Sequence, residues 1–342
     1  MTQQDFITIF GAPRSGTYLL STLLQRHFSI AIPVETHLAP VFSKKLWAFG
    51  NLSKASNRLR LLNCMYNYIE ILIDRGFRLN TPEAQKDYSL LITRPNKKMI
   101  VDQSRDFKSL VSNLFANYAT LKGCKHWADK SAFYKPFNLG TFSKEMGGNI
   151  KVINIVRDGR DVALSWCQEW FGPKNILAAA DLWKKHVDAA YNWEVLSPEC
   201  ILNVRFEDLI EDMGRELDRI ESFLNLERHF NQEDSLGIRM ANMLGKEYHS
   251  KITDAPDQRN QKKWLTVMNN HHIEIFENIA GQMLELHNYK LQTTLKPGVG
   301  RINLPEIFRW THCERLVKNQ MPVILSIASS LNIPITRFLI RD

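Results

Sequence analysis

Short apolar runs alternate with longer amphipathic stretches along most of this chain. Phe6 to Phe10, FITIF, has the apolar continuity of a buried strand. Leu19, Leu20, Leu23, Leu24 and Phe28 then recur at helical spacing. Ile30 to Val34, IAIPV, predicts an extended piece running into Glu35. Residues 54–76 and 105–121 carry a helical period, and in the second Phe107, Leu110, Val111, Leu114, Phe115 and Tyr118 form one stripe. His126 to Lys130, HWADK, is a short extended piece ahead of another helix. Residues 150–156, IKVINIV, predict a strand, followed by a tight turn and a helix from about Arg160. Helix is expected over 176–195, a strand ending near Val204, and helix again over 208–224. Residues 229–260 are polar and irregular, and a long helix is expected over about 261–287.

Strands alternating with helices predict an α/β fold, a mostly parallel sheet with helices on both faces. Such sheets bind ligands at the carboxyl ends of their strands. Arg14, Glu35, Lys130 and Arg157 each follow such an end. Four charged groups would then gather at one cleft.

Between the first strand and the first helix lies FGAPRSGT, residues 10–17. Gly11 and Gly16 are five apart, in the strand–turn–helix setting of a phosphate-binding loop (a P-loop). Backbone N–H groups at a helix N-terminus favour an anion, and glycine lets the backbone approach it closely. The Gly-Lys-Ser/Thr ending of triphosphate-binding loops is missing: Thr17 follows Gly16 directly, and Arg14 sits inside the loop. The strand that would end in a magnesium-binding acid ends in Arg157. The pattern points to an anion held without metal. Arg157 and Ser165 are eight apart, one at a strand's end and one two turns into the next helix. Arginine can clamp a phosphate through two N–H groups, and a hydroxyl adds a donor. Each residue alone has an ordinary alternative: an ion pair of Arg157 with Asp158 or Asp161, and a plain helix-face hydroxyl at Ser165.

Composition narrows the partners. The 342 residues carry 44 basic and 36 acidic side chains, a formal charge of +8. That favours anionic ligands but, without a dense basic run, does not point to nucleic acid. Five cysteines without a Cys-x-x-Cys pair argue against a disulfide framework or a zinc site. The start, Met1 to Asp5, has no basic segment followed by an apolar one, which predicts a cytoplasmic chain without a signal peptide. A turn-rich break at Lys296 to Gly300 divides a main domain, 1–295, from a C-terminal extension, 296–342. Within the extension, residues 321–340 are apolar apart from Arg337, but Pro322 and Pro334 speak against a spanning helix. The extension reads either as an arm packing on the domain or on a second subunit of a homodimer, or as a contact lying on the inner membrane surface. Arg315, Lys318 and Arg341 would help the latter.

Taken together, PRSGT and VINIVRDGRDVALSW resemble the PAPS-dependent sulfotransferases, whose donor is 3′-phosphoadenosine 5′-phosphosulfate. The first looks like that family's 5′-phosphosulfate loop and the second like its 3′-phosphate segment, including the Arg-to-Ser spacing. ADKS at 128–131 is similar to a stretch of the bacterial and Golgi branch, whose motifs are tyrosylprotein-sulfotransferase-like, and NVRFEDL at 203–209 to the family's Tyr-Glu-Asp-Leu region. The likeness runs over about residues 5–290. It implies sulfuryl transfer to an acceptor hydroxyl on a carbohydrate, a lipid-linked sugar or a small molecule, with no metal.

Arg14, Ser15, Gly16, Thr17 and Tyr18 would then hold the phosphosulfate, and Lys130 would stabilise charge near the sulfur. Arg157 and Ser165 would hold the 3′-phosphate, with Arg160 either beside it or paired to an acid. Phe206 would lie against adenine or simply in the core, and Lys262 and Lys263 would cover the phosphates or simply form the solvated start of the long helix. Glu35, twenty-one residues beyond Arg14, matches the glutamate base of this branch, and His37 in THLAP is its competitor. Trp47, Trp127, Tyr134, Trp166 and Trp170 are candidate acceptor platforms, of which Trp166 and Trp170 read as core. A magnesium-dependent kinase or NTPase and a non-catalytic nucleotide-binding scaffold are the rival readings.

Overall fold

The computed structural model describes residues 5–74, 82–93, 96–130, 138–148, 150–169, 172–228 and 261–294. The extension 296–342 and the irregular stretch 229–260 lie outside the described residues, as do Tyr134 and Trp170.

The first strand, β1, covers Phe6–Phe10 and leads through the loop into α1, Thr17–Phe28. A two-residue strand follows, β2 at Ile30–Ala31, because Pro33 has no N–H with which to extend a ladder. An all-helical segment comes next: α2 at Leu38–Ser43, α3 at Ala55–Asp74, α4 at Pro82–Leu91, α5 at Lys97–Asp102 and α6 at Phe107–Leu121. The periodicity had not predicted α4 and α5. Strand β3 is His126–Lys130, then come α7 at Leu139–Glu145 and β4 at Ile150–Val156. Helices α8, Gly159–Gln168, and α9, Ile176–Leu196, lead to β5, Ile201–Arg205.

Two expected helices are each broken in two. Residues 208–224 divide into α10, Phe206–Glu211, and α11, Met213–Leu224, because Asp212 turns out of the helix and caps the N–H of Arg215. The long helix over 261–287 is α12, Trp264–Val267, and α13, Asn270–Leu286. There Asn269 is extended and its side chain accepts from His272 N–H, starting a fresh helix.

The five strands among the described residues are parallel, in the order β2-β3-β1-β4-β5. Period-two alternation sends Phe6 and Phe10 of β1 to one face and Ile7 and Ile9 to the other. On the first face Phe6 meets Phe115, Trp127 and Phe142 edge-on, and the α2–α6 segment closes over them. On the second face Leu20, Leu24 and Phe28 of α1 and Ile220 of α11 cover Ile153 and Ile155. A further core joins α8, α9, α12 and α13 around Trp166 and Trp183. The chain leaves β1 toward β2 on one side and β4 toward β5 on the other, so the sheet reverses direction beside the loop, where α/β sheets take their ligands.

The cysteines among the described residues, Cys64, Cys124, Cys167 and Cys200, are free. No helix among the described residues is long and apolar enough to cross a membrane.

Candidate active site

The loop after β1 is shaped by three residues with left-handed backbone: Gly11 at φ 152°, Arg14 at φ 73° and Gly16 at φ 98°. A Cβ on Gly11 would stand 2.6 Å from the carbonyl oxygen of Ile155, and one on Gly16 would stand 2.5 Å from the ring of Phe206. Glycine is therefore demanded twice, by conformation and by close approach. Helix α1 starts at the end of this loop with no capping side chain and no acid in its first turn. Its N–H groups face the loop uncontested, and an anion is what such an end favours. Ser15 Oγ, on a residue only 1% exposed, has no hydrogen-bond partner in the structure. A buried hydroxyl without a partner inside a glycine-shaped loop fits an anionic group held there.

On the β3 side of the loop a second cluster forms. Lys130 Nζ lies 3.2 Å from Glu35 Oε1 and 5.0 Å from the centre of the Tyr18 ring. His37 Nε2 is 3.9 Å from Glu35 Oε2. Glu35 is 26% exposed and His37 is 0% exposed, so the carboxylate stands between the imidazole and the cleft. His37 occupies the left-handed residue that starts α2, at φ 52°. Thr36 Oγ1 donates to Asp129 Oδ1 at 3.3 Å, tying the segment after β2 to the end of β3.

On the β4 side, Arg157 Nη1 donates to the carbonyl of Arg14 at 3.2 Å. Its guanidinium lies 4.7 Å from the centre of the Phe206 ring, and Nη2 is 3.9 Å from Asp161 Oδ2. Burial lowers the pKa of Arg157 from the ordinary arginine value; Asp161 and Glu207 oppose that, while Arg14 adds to it. Burial raises Asp161, against the pull of Arg157 and of two backbone N–H groups. Those N–H groups belong to Lys262 and Trp264, at 2.7 and 3.0 Å, so Asp161 pins the 262–264 backbone beside the Arg157 turn. Lys262 holds a left-handed backbone at φ 56°, and Lys263 is half-buried beside it. Arg14 Nε donates to Ser165 Oγ at 2.9 Å, joining the loop to α8.

Arg160 stacks on the Trp264 ring, 3.5 Å from its centre. It is buried, paired with both Asp158 and Glu277, and its alternative as an acid-bound residue is the observed one. Phe206 is buried, with its ring between Gly16 and Arg157. Trp127 and Trp166 are core residues and offer no platform to an acceptor, whereas Trp47 is exposed.

A family model described as "Sulfotransferase family" matches residues 6–231, which span the loop, Glu35, Lys130, Arg157, Ser165 and the whole described sheet. This chain belongs to the sulfotransferase family. The sulfotransferase domain of the olefin synthase of Synechococcus PCC 7002 aligns at TM-score 0.55 and 19% identity, over 85% of this chain and 98% of its own. The sulfotransferase domain from the curacin biosynthetic pathway aligns at TM-score 0.52 and 19% identity, over 84% and 99%. A looser likeness, TM-score 0.38 at 14% identity over 83% and 84%, is to mouse sulfotransferase SULT7A1 complexed with PAP. The two domains share the fold. No curated protein matches the chain in sequence.

The candidate site also contains groups that motif reading passed over. Asp129 is the penultimate residue of β3, inside the ADKS stretch, and is wholly buried. Glu169 stands 3.5 Å from Arg14 Nη2. Its place was encoded as a row at α8 spacing, Asp161, Ser165 and Glu169, four residues apart each time. Substituting Gly16 by alanine is expected to cost about 1–3 kcal/mol, since the new methyl meets the Phe206 ring. Chemical denaturation of the purified variant measures it, and an unchanged midpoint would contradict the close approach.

Proposed function

We propose that this sulfotransferase moves a sulfuryl group from PAPS to an acceptor hydroxyl, on a carbohydrate, a lipid-linked sugar or a small molecule, with Glu35 as the base. The observation that carries the reading is the arrangement about β1. Glu35 and Lys130 lie 3.2 Å apart on the β3 side of the loop, and Arg157 stands against the loop on the β4 side. A donor with phosphates at both ends of its nucleoside is met by a loop at one end and an arginine at the other.

PAPS, when bound, supplies the sulfuryl group and leaves 3′,5′-adenosine diphosphate. The N–H groups of Ser15 to Thr17, the hydroxyl of Ser15 and the side chain of Arg14 hold its 5′ end. Tyr18 continues the loop and lies under the Lys130 ammonium, fixing that charge toward the cleft. Lys130 neutralises negative charge on the transferring oxygens, the electrostatic contribution that dominates such transfers. Glu35 takes the acceptor's proton; it is the exposed member of its pair with His37. Arg157 and Ser165 hold the 3′-phosphate. Phe206 serves as a floor under Arg157, and the 262–263 backbone, pinned by Asp161, closes over that end with Lys263.

Thermal melting with 3′,5′-adenosine diphosphate, AMP, and ATP with magnesium tests this. At a hundredfold excess over Kd the 3′-phosphorylated nucleotide adds about 2.7 kcal/mol, and it does so without metal. Arg157→Met is expected to reduce its stabilisation to that of AMP. Stabilisation by ATP with magnesium alone would restore the kinase reading.

A further inference from the structure

Helix α8 turns one row of side chains toward the two arginines. Asp161 and Ser165 are four apart on α8, and Glu169, four further on, is the extended residue that ends it. Asp161 is 3.9 Å from Arg157, Ser165 is 2.9 Å from Arg14, and Glu169 is 3.5 Å from Arg14. The hydroxyl is thus flanked by two carboxylates, each beside an arginine of the phosphate-binding clusters. The two acids differ in how they are held. Asp161 is committed to the backbone N–H groups of Lys262 and Trp264 as well as to Arg157. The Glu169 carboxylate reaches Arg14 at a distance too long for a tight charge-assisted bond, which is 2.7–2.9 Å. Arg14 is the more exposed partner, 28% against 13%, and its backbone belongs to the glycine-shaped loop.

We propose that Glu169 is a resident counter-anion of Arg14, a specificity-determining residue that an incoming phosphate or sulfate oxygen must displace. This rests on the reading that the loop takes the phosphosulfate end of the donor. Filling the loop exchanges one anion on Arg14 for another. The displaced carboxylate remains close and repels the ligand's charge, so affinity sits below the value the arginine alone would give. The same repulsion speeds departure of the spent nucleotide, which keeps its 5′-phosphate in the loop. A ligand with less negative charge at that end gains less from Arg14 and displaces Glu169 less readily. Glu169 therefore discriminates by charge at the 5′ end, while Arg157 discriminates at the 3′ end.

The test is titration of the purified full chain with 3′,5′-adenosine diphosphate by calorimetry, with dissociation rates from stopped flow. Glu169→Gln keeps shape and removes charge; it is expected to bind about threefold to tenfold more tightly and to release more slowly. Glu169→Asp, one methylene shorter, is expected to shift the same way by less. In an Arg14→Gln background the Glu169→Gln gain is expected to shrink to the part due to direct repulsion, because the competition for that arginine is gone. Raising salt is expected to narrow the difference between wild type and Glu169→Gln, since the repulsion is partly screened. Unchanged or weaker binding by a Glu169→Gln chain that melts like wild type would overturn the proposal. So would a gain that is undiminished by Arg14→Gln. If the wild-type chain does not bind the nucleotide, the donor reading falls and this proposal with it. If the wild-type chain binds and Glu169→Gln is indifferent, this proposal alone falls.

Discussion

Glu35→Gln is expected to lower kcat by about 10²- to 10⁴-fold, the usual contribution of a positioned proton acceptor, and to leave the affinity for 3′,5′-adenosine diphosphate unchanged, if Glu35 is the base as proposed. The separation of effects follows from geometry. Glu35 lies after β2 and beside Lys130, on the far side of the loop from Arg157 and Ser165. Its amide replacement fills the same space and can still accept a hydrogen bond from Lys130, but cannot take a proton from an alcohol. His37 provides the internal control. Its side chain is buried, and the carboxylate of Glu35 stands 3.9 Å in front of it. Asparagine tolerates the left-handed backbone found at position 37, so His37→Asn tests the imidazole with little strain. His37→Asn should keep most of the turnover. Steady-state kinetics with labelled PAPS and an accepted hydroxyl compound read both variants. A fully active Glu35→Gln chain beside an inactive His37→Asn chain would transfer the role to the histidine. Melting curves of each variant guard against reading lost folding as lost chemistry.

Much of the architecture was legible because its signals are local. The apolar runs at Phe6–Phe10 and Ile150–Val156 are short, continuous and followed by turn residues, and both are strands where expected. The phosphate loop announces itself through two glycines whose positions the packing requires. The alternative partner of Arg157, Asp161, was visible because it is four residues away on one helix. What stayed hidden depends on contacts far apart in the chain. Arg14 and Ser165 are 151 residues apart, and the Asp161 carboxylate collects an N–H 101 residues away. No periodicity records such meetings; only the parallel sheet brings them together. The break between α12 and α13 was missed for another reason. Apolar spacing continues across it, while one asparagine with a capping side chain overrides the pattern. The fate of Arg160 likewise turned on Glu277, a residue 117 positions away on another helix.

That pair sets the second large effect, which falls on stability. Glu277 is wholly buried and accepts from Arg160 Nη1 at 2.6 Å, from Thr293 Oγ1 at 2.6 Å and from the N–H groups of Gln292 and Thr293. Arg160 grips Asp158 with two further donors, at 2.9 and 2.7 Å, and its guanidinium lies 3.5 Å from the Trp264 ring centre. Removing one partner of a buried pair strands the other charge and, here, two backbone donors as well. Glu277→Ala is therefore expected to cost about 3–5 kcal/mol. For a chain of this length that is a fall in Tm on the order of 5–10 °C. Replacing both, Arg160→Met with Glu277→Leu, is expected to recover little, because buried Asp158 then loses its guanidinium and the two backbone donors stay unpaired. The hub also has a functional side. It binds residues 290–293 to the turn that follows Arg157, since Arg160 donates to the carbonyl of Lys290 at 3.0 Å. Tyr289 donates to Glu207 at 2.7 Å, and Glu207 in turn accepts the N–H of Asp158. Loosening Glu277 should weaken 3′,5′-adenosine diphosphate more than AMP, because the affected turn is the one proposed to face the 3′-phosphate. Calorimetric melting together with nucleotide titration separates the outcomes. A Glu277→Ala chain that melts with the wild type would mean that Asp158 alone balances Arg160, and that the C-terminal segment is held by its apolar contacts instead.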